Sequence, residues 1–239
     1  SSKVGFVNFK GEQNFSPEYI RNSLESSLKR LQTDYIDIFQ LHDPQITILQ
    51  EDHRIFETLE SFKQEGKIRI IGISTKSPEE SLIALEKFSF KAVQVNFNLI
   101  DQRALDNGLF QKCCELGIGL IGRTPLCFGF LTGKHSANDH YDSSDHRSLW
   151  SHEQVNLWAN AYKLFSKEFI GLEGQSNTQI ALRFCLSYPM LSTTIPGMLT
   201  TEHVDENTSS SSYGTLTALQ LQKFSNIYQN NDFFVRPKE

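Results

Sequence analysis

Apolar residues along this chain switch repeatedly between a helical and a strand-like period. Ile20, Leu24, Leu28 and Leu31 fall on one helical face. Ahead of them stand Ser16, a capping residue, Pro17, suited to a first turn, and Glu18, suited to the helix dipole. The next run, 34–44, reads D-Y-I-D-I-F-Q-L-H-D-P. Its β-branched and aromatic residues, halted by His-Asp-Pro, predict a buried strand ending in a turn. Alternation along that strand puts Ile36, Ile38, Gln40 and His42 on one side. Asp37, inside the same run, is expected to be a buried, hydrogen-bonded structural carboxylate.

The pattern continues in the same rhythm. Ile55, Leu59 and Phe62 predict a helix stopped by Gly66, followed at once by a strand I-R-I-I-G-I-S over 68–74. Ser77-Pro78-Glu79-Glu80 is a capping box with proline at the first helical position, launching a helix through 85. A strand over 92–98, a helix ending near Leu116-Gly117 and a strand over 119–124 come next. Ser176 and Gln179 cap a helix carrying Ile180, Ala181, Phe184 and Cys185. A last strand at 193–195 ends in Pro196-Gly197, and closing helices start near Thr201 and Thr217. Apolar strands alternating with helices imply an α/β fold with a parallel sheet covered on both faces. No strand leads into G-x-G-x-x-G, which disfavours a doubly wound dinucleotide fold and leaves a (β/α) barrel.

Composition narrows the function. At 239 residues with 38% hydrophobic and 21% charged side chains, the chain can bury a substantial core as a globular protein. A net charge of -5 argues against nucleic acid or an anionic membrane as the main partner. No apolar run approaches the ~18 residues of a membrane span, and no signal-peptide pattern is present. Cys113, Cys114, Cys127 and Cys185 form neither C-x-x-C nor a disulfide framework, so a reducing cytoplasmic setting is expected.

In a barrel, chemistry gathers at the C-terminal ends of the strands. Those ends read Lys3, His42, Ser74-Thr75, Gln94, Arg123-Thr124-Pro125 and Pro196-Gly197. Taken alone, His42 is equally a core histidine satisfied by a carbonyl, Lys3 a frayed terminal lysine and Gln94 a core amide. One segment, 135–152, breaks the rhythm with His135, His140, His146 and His152 among Asp139, Asp142 and Asp145. Its spacings match no metal-ligand pattern, so no metal is expected. The histidines read as solvated loop residues, and the segment as a lid over the active face.

The order of these blocks resembles the aldo-keto reductase family. The resemblance runs through L-x-T-D-Y-I-D-I-F-Q-L-H (31–42), G-K-I-R-I-I-G-I-S (66–74) and V-Q-V-N-F-N (93–98). It continues through R-T-P-L-C-F-G-F-L-T-G-K (123–134), T-I-P-G (194–197) and Glu206-Asn207. It implies a (β/α)8 barrel spanning 1–239 as one domain, with the family's first two β-α units absent from this sequence. It further implies reduction of a small aldehyde or ketone by hydride from NADP(H) or NAD(H). In the family a tyrosine hydroxyl protonates the carbonyl oxygen, tuned by a lysine that an aspartate holds.

Carried over by position, Lys3 resembles the lysine and His42 the histidine that orients the carbonyl. Ser74, Thr75 and Gln94 match positions that hydrogen-bond the cofactor's carboxamide, although Thr75 stands where the family often has asparagine. Arg123 lies where a flat side chain stacks on the nicotinamide. Thr124, Leu126 and the loop to Lys134 fall where the pyrophosphate is covered. Gly197, Met198 and His203 follow the last strand, and Glu206 and Asn207 are candidates for the adenine.

This sequence departs from the pattern in two places. Residues 196–203 contain no Lys or Arg to grip a 2′-phosphate, which predicts modest discrimination between NADPH and NADH. The family's tyrosine and aspartate precede the lysine, and the sequence opens at Ser1-Ser2-Lys3. As given, it is therefore expected to be inactive, a truncated product, a gene fragment or a degenerate homologue. The alternative from another class is a non-catalytic, cofactor-binding or regulatory relative. A phosphate-handling barrel enzyme is a third reading, disfavoured by Ser74 and Gln94.

Overall fold

Helices begin where their caps predict. In the computed structural model, which describes residues 1–8 and 11–235, α1 (Pro17–Leu31) opens with the Ser16 hydroxyl accepting from the Tyr19 N–H at 3.3 Å. Full capping boxes start α4 (Pro78–Lys87), with Ser77 and Glu80, and α8 (Asn177–Leu186), with Ser176 and Gln179. Each box satisfies N–H groups that a helix start otherwise leaves unpaired. The chain divides into two compact units, residues 1–95 with 107–121 and residues 96–106 with 122 onward.

The first unit contains β1 (Ser2–Val4), β2 (Ile36–His42), β3 (Ile68–Ser74), β4 (Ala92–Asn96) to Val95, and the start of β5 (Gly119–Arg123). These strands are hydrogen-bonded in that order. β1 to β4 pair in parallel, joined by crossovers through α1, α2 (Ile46–Glu51), α3 (Arg54–Gln64) and α4. α6 (Leu109–Glu115) also belongs to this unit.

Register sorts the two faces of this sheet. Phe39 is level with Ile71, and Leu41 with Ile73 and Val93, all of them buried. That apolar face lies under helices. α1 packs on β1 and α3 on β3, contributing Ile20, Leu24 and Leu28 from α1 and Ile55, Leu59 and Phe62 from α3. The pleat then turns Gln40, Gly72 and Ala92, and beyond them His42, Ser74 and Gln94, to the opposite face.

Asp37 corrects an expectation. It is exposed, and its carboxylate meets Arg69 Nη1 at 2.6 Å, the guanidinium lying 4.0 Å from the Tyr35 ring centroid. Both charges sit near the N-terminal ends of adjacent strands, where solvent reaches a side chain whose alternation partners Phe39 and Leu41 are covered.

The second unit holds α5 (Arg103–Asp106), the end of β5, β6 (Thr193–Ile195), α8, α9 (Thr201–Ser209) and α10 (Ala218–Gln229). It also holds α7 (His152–Ser166), a helix where the sequence reading placed none. Ser151 caps α7 by accepting from the Gln154 N–H at 3.2 Å, and Val155, Trp158, Ala159 and Phe165 form its buried face. The polar residues just before it masked that periodicity. Phe97 stacks on Phe184 at 5.4 Å and meets Tyr188 edge-on at 5.3 Å. Arg183, buried on α8, donates to Gln175 Oε1 at 2.6 Å, Gly214 O at 2.9 Å and Thr215 O at 3.1 Å. Among the described residues, no helix is long and apolar enough to cross a membrane.

Candidate active site

In the first unit the parallel register aligns most of the residues singled out there. His42, Ser74 and Gln94 are level on β2, β3 and β4. Lys3 is level with Gln40, two residues before His42, so Lys3 shares the face of this row. Ser74 and Gln94 are almost fully buried, and Lys3 and His42 are half-buried. Thr75 is different. Its hydroxyl is engaged by Ser77 O at 2.9 Å and Ser81 Oγ at 2.6 Å, an arrangement that secures the start of α4.

The chain after β1 fixes His42. Gly5 has φ +147°, and a Cβ there would come within 2.9 Å of His42 O and 2.7 Å of the Phe15 ring. Only glycine allows so close an approach in that conformation. Phe6 then meets the His42 ring edge-on at 4.6 Å, and Gln13 Nε2 donates to His42 O at 3.1 Å and Asp43 O at 2.8 Å. Asp43, at φ +58°, donates its N–H to Ser74 O at 2.7 Å.

In the second unit, Thr124, Leu126, Lys134, Gly197, His203, Glu206 and Asn207 line one cavity of about 560 Å³. Met198 and Arg123 do not line it, whereas Leu199 does. Thr124 adopts φ +53°, a strained conformation for a β-branched residue. Its hydroxyl is shared between Arg123 O at 2.7 Å and Asn96 Oδ1 at 2.9 Å, and Asn98 Nδ2 donates to its carbonyl at 2.9 Å. Cys127, Phe128, Gly129 and Gly133 continue the run of positive φ values. Asn207 Nδ2 donates to Gly197 O at 3.3 Å. His203 Nδ1 accepts from the Leu199 N–H at 3.3 Å, so the ring closes the turn ahead of α9.

The cavity has a cation that the sequence reading overlooked. Arg147, with Asp145, His135 and His146, comes from the 135–152 segment and lines the same wall. Its Nη2 meets Asp145 Oδ2 at 2.6 Å, its Nη1 donates to His135 Nε2 at 2.9 Å, and it lies over the Tyr141 ring at 4.4 Å. Because Arg147 donates to Nε2, the His135 proton belongs on Nδ1, where it is given to Asp139 Oδ2 at 3.1 Å. His135 is thus a tied, partly covered residue and not a solvated one; His140 is exposed, as the polar reading expects. Among the described residues no cluster of His, Cys, Asp or Glu could hold a metal. The overlooked signal was D-H-R at 145–147, an acid and a base two apart in a stretch read for its histidines.

These ties give a pH prediction. Hydrogen bonds from Arg147 hold Asp145 down at about 2, and hydrogen bonds from Ser136, then His135, hold Asp139 down at about 2. A depressed folded-state pKa contributes order above the ordinary value of 3.8, and that contribution is lost as pH falls through the depressed one. The 135–147 segment is therefore expected to stay tied at pH 4 and loosen between 3.8 and about 2. Carboxyl carbon shifts of Asp139 and Asp145 followed by NMR would show it. Midpoints near 3.8 for both would contradict the ties.

Comparison with known proteins places this architecture. The model of the aldo/keto reductase family matches residues 1–229, and the chain belongs to that family, whose fold is the (β/α)8 barrel. It is 30% identical over 204 residues to probable aldo-keto reductase 1 of Glycine max, covering 85% of this chain and 58% of that protein. It is 30% identical over 223 residues to L-glyceraldehyde 3-phosphate reductase of Escherichia coli, covering 87% and 63%. Among solved structures it resembles the holo form of an aldo-keto reductase from Bacillus halodurans, with TM-score 0.72, 25% identity, and 95% and 72% coverage. The chain spans about three fifths of the length of these curated relatives.

Proposed function

We propose that this chain supplies cofactor and carbonyl sites for the NAD(P)H-dependent reduction of aldehydes or ketones to alcohols. The observation that carries the reading is the row His42, Ser74, Gln94, with Lys3 on the same face, in the first unit. A histidine, a hydroxyl, an amide and an ammonium turned to one face of a parallel sheet suit a carbonyl and a carboxamide better than an apolar ligand. His42 donates a hydrogen bond to the substrate carbonyl and orients it. Ser74 and Gln94 hold the carboxamide. Lys3 supplies positive charge that favours an anion beside it.

The second unit, taken by itself, holds a cavity that suits the phosphates and adenosine of a dinucleotide. Its volume is in the range of small-ligand sites, and it combines Lys134 and Arg147 with hydroxyls of Thr124 and Thr132 and apolar Leu126 and Leu199. Lys134 and Arg147 meet phosphate oxygens, while Gly197, Glu206 and Asn207 face the adenosine. Met198 and His203 shape the turn beside them, and Arg123 offers a flat guanidinium on which a planar ring can stack. When bound, the nicotinamide cofactor supplies the hydride. A reducing cytoplasm suits the four free cysteines.

The test is direct titration of the purified chain with NADPH and with NADH, read by nicotinamide fluorescence at fixed salt. Saturable binding of both is expected, weakened by added salt. The helix start at Thr200 and Thr201 offers hydroxyls and amides but no cation. The two dissociation constants should therefore differ by less than a hundredfold, roughly 2.7 kcal/mol. Failure of both cofactors to bind would overturn the reading.

A further inference from the structure

Gln40 has no part in the function proposed so far, yet it is one of the most enclosed polar side chains in the first unit. Its Nε2 donates to Gln94 Oε1 at 3.3 Å and to Ser1 Oγ at 3.0 Å, while its own Oε1 is buried with no hydrogen-bond partner. Leaving a buried amide oxygen unpaired is costly, so stability alone does not account for a glutamine at this position.

The neighbours of Gln40 are shaped to let it lie flat. Gly72 and Ala92, level with it on β3 and β4, are the small residues of that face. A Cβ on Gly72 would fall 2.9 Å from Gln40 Cγ and 3.2 Å from the Ala92 Cβ. Together they form a trough through which Gln40 crosses β3 to reach Gln94. Facing amides must pair a donor with an acceptor. Since Gln40 presents its nitrogen, Gln94 must turn its oxygen toward Gln40, and that leaves the Gln94 nitrogen as the group facing outward.

We infer that Gln40 is a positioning residue that locks the Gln94 amide with its N–H outward, so that the site takes the carbonyl oxygen of a nicotinamide carboxamide. The inference rests on the carboxamide reading of Gln94 made above. A glutamine that filled space alone would need neither the trough nor this orientation.

The experiment compares whole dinucleotides with fragments that lack the nicotinamide. Dissociation constants are measured for NADH against ADP-ribose, and for NADPH against 2′-phospho-ADP-ribose, in the whole chain and its variants. Gln40→Met keeps an unbranched side chain and removes the donor. It is expected to weaken the dinucleotides about 3- to 10-fold, the usual worth of one neutral hydrogen bond, with the fragments within about twofold. Gly72→Ala, which pushes on Gln40 without altering its amide, should give the same selective loss. Should one variant not fold, the other still decides. Equal weakening of dinucleotide and fragment, or no change in either, would overturn the positioning role while leaving the cofactor reading intact. If the unaltered chain binds neither dinucleotide, the reading and the inference fall together.

Discussion

Replacing Arg147 with alanine is expected to weaken NADPH and NADH binding about 10- to 100-fold, from the roughly 1.5–3 kcal/mol that a hydrogen bond to a charged group contributes. Two effects add. The guanidinium that lines the second-unit cavity is lost, and Asp145, which lines it too, is left as an uncompensated carboxylate facing an anionic ligand. The second effect is separable. In Arg147→Ala/Asp145→Asn part of the loss should return, because the repelling charge is gone. Raising salt should narrow the gap between the parent chain and Arg147→Ala, since added ions screen both terms. A change below about threefold in Arg147→Ala would mean that the Asp145 tie consumes the cation and that Lys134 alone meets the phosphates.

Phe97→Ala should cost the second unit about 3–5 kcal/mol, the usual penalty for emptying a fully buried phenyl position. Phe97 is fully buried between Phe184 and Tyr188. Its backbone is tied on both sides, its N–H donating to Arg123 O at 3.2 Å and its carbonyl accepting from Cys185 Sγ at 3.4 Å. Loss of the ring therefore loosens Asn96 and Asn98, on either side of it, which hold the strained Thr124. Both tryptophans of the chain, Trp150 and Trp158, lie in the second unit, so urea unfolding followed by their fluorescence reports that unit. A midpoint shift worth less than about 1 kcal/mol would show that neighbouring aromatics refill the space. The burial of Tyr188, whose hydroxyl pKa is pushed up to about 12 by desolvation, makes such refilling by a polar ring unfavourable.

Much of this chain is determined by residues close together in sequence. The starts of α1, α4 and α8 follow from Ser16-Pro17, Ser77 with Glu80, and Ser176 with Gln179, because a cap acts within one turn. β2, β3 and β6 follow from short β-branched runs ended by turn residues. α7 was also legible, from Ser151 and the spacing of Val155, Trp158, Ala159 and Phe165, but the polar stretch before it drew attention to its histidines. Family membership was readable as well, since it rests on the order of motifs and needs no coordinates.

What tertiary structure alone decided are contacts between residues far apart in the chain. Asp37 reads as buried from its apolar neighbours, yet its strand end lies open and Arg69 meets it in solvent. The second-unit cavity has, beside Lys134, a cation in Arg147, contributed by a segment with no period of its own. Gln40, Gly72 and Gln94 lie up to 54 residues apart, and only the parallel register sets one amide against the other. Caps and strand runs act over one turn or a few residues, so the chain carries them locally. Register, burial at a strand end and the pairing of charges are set by the whole fold, because their energies depend on which distant groups share a face and how far water reaches it.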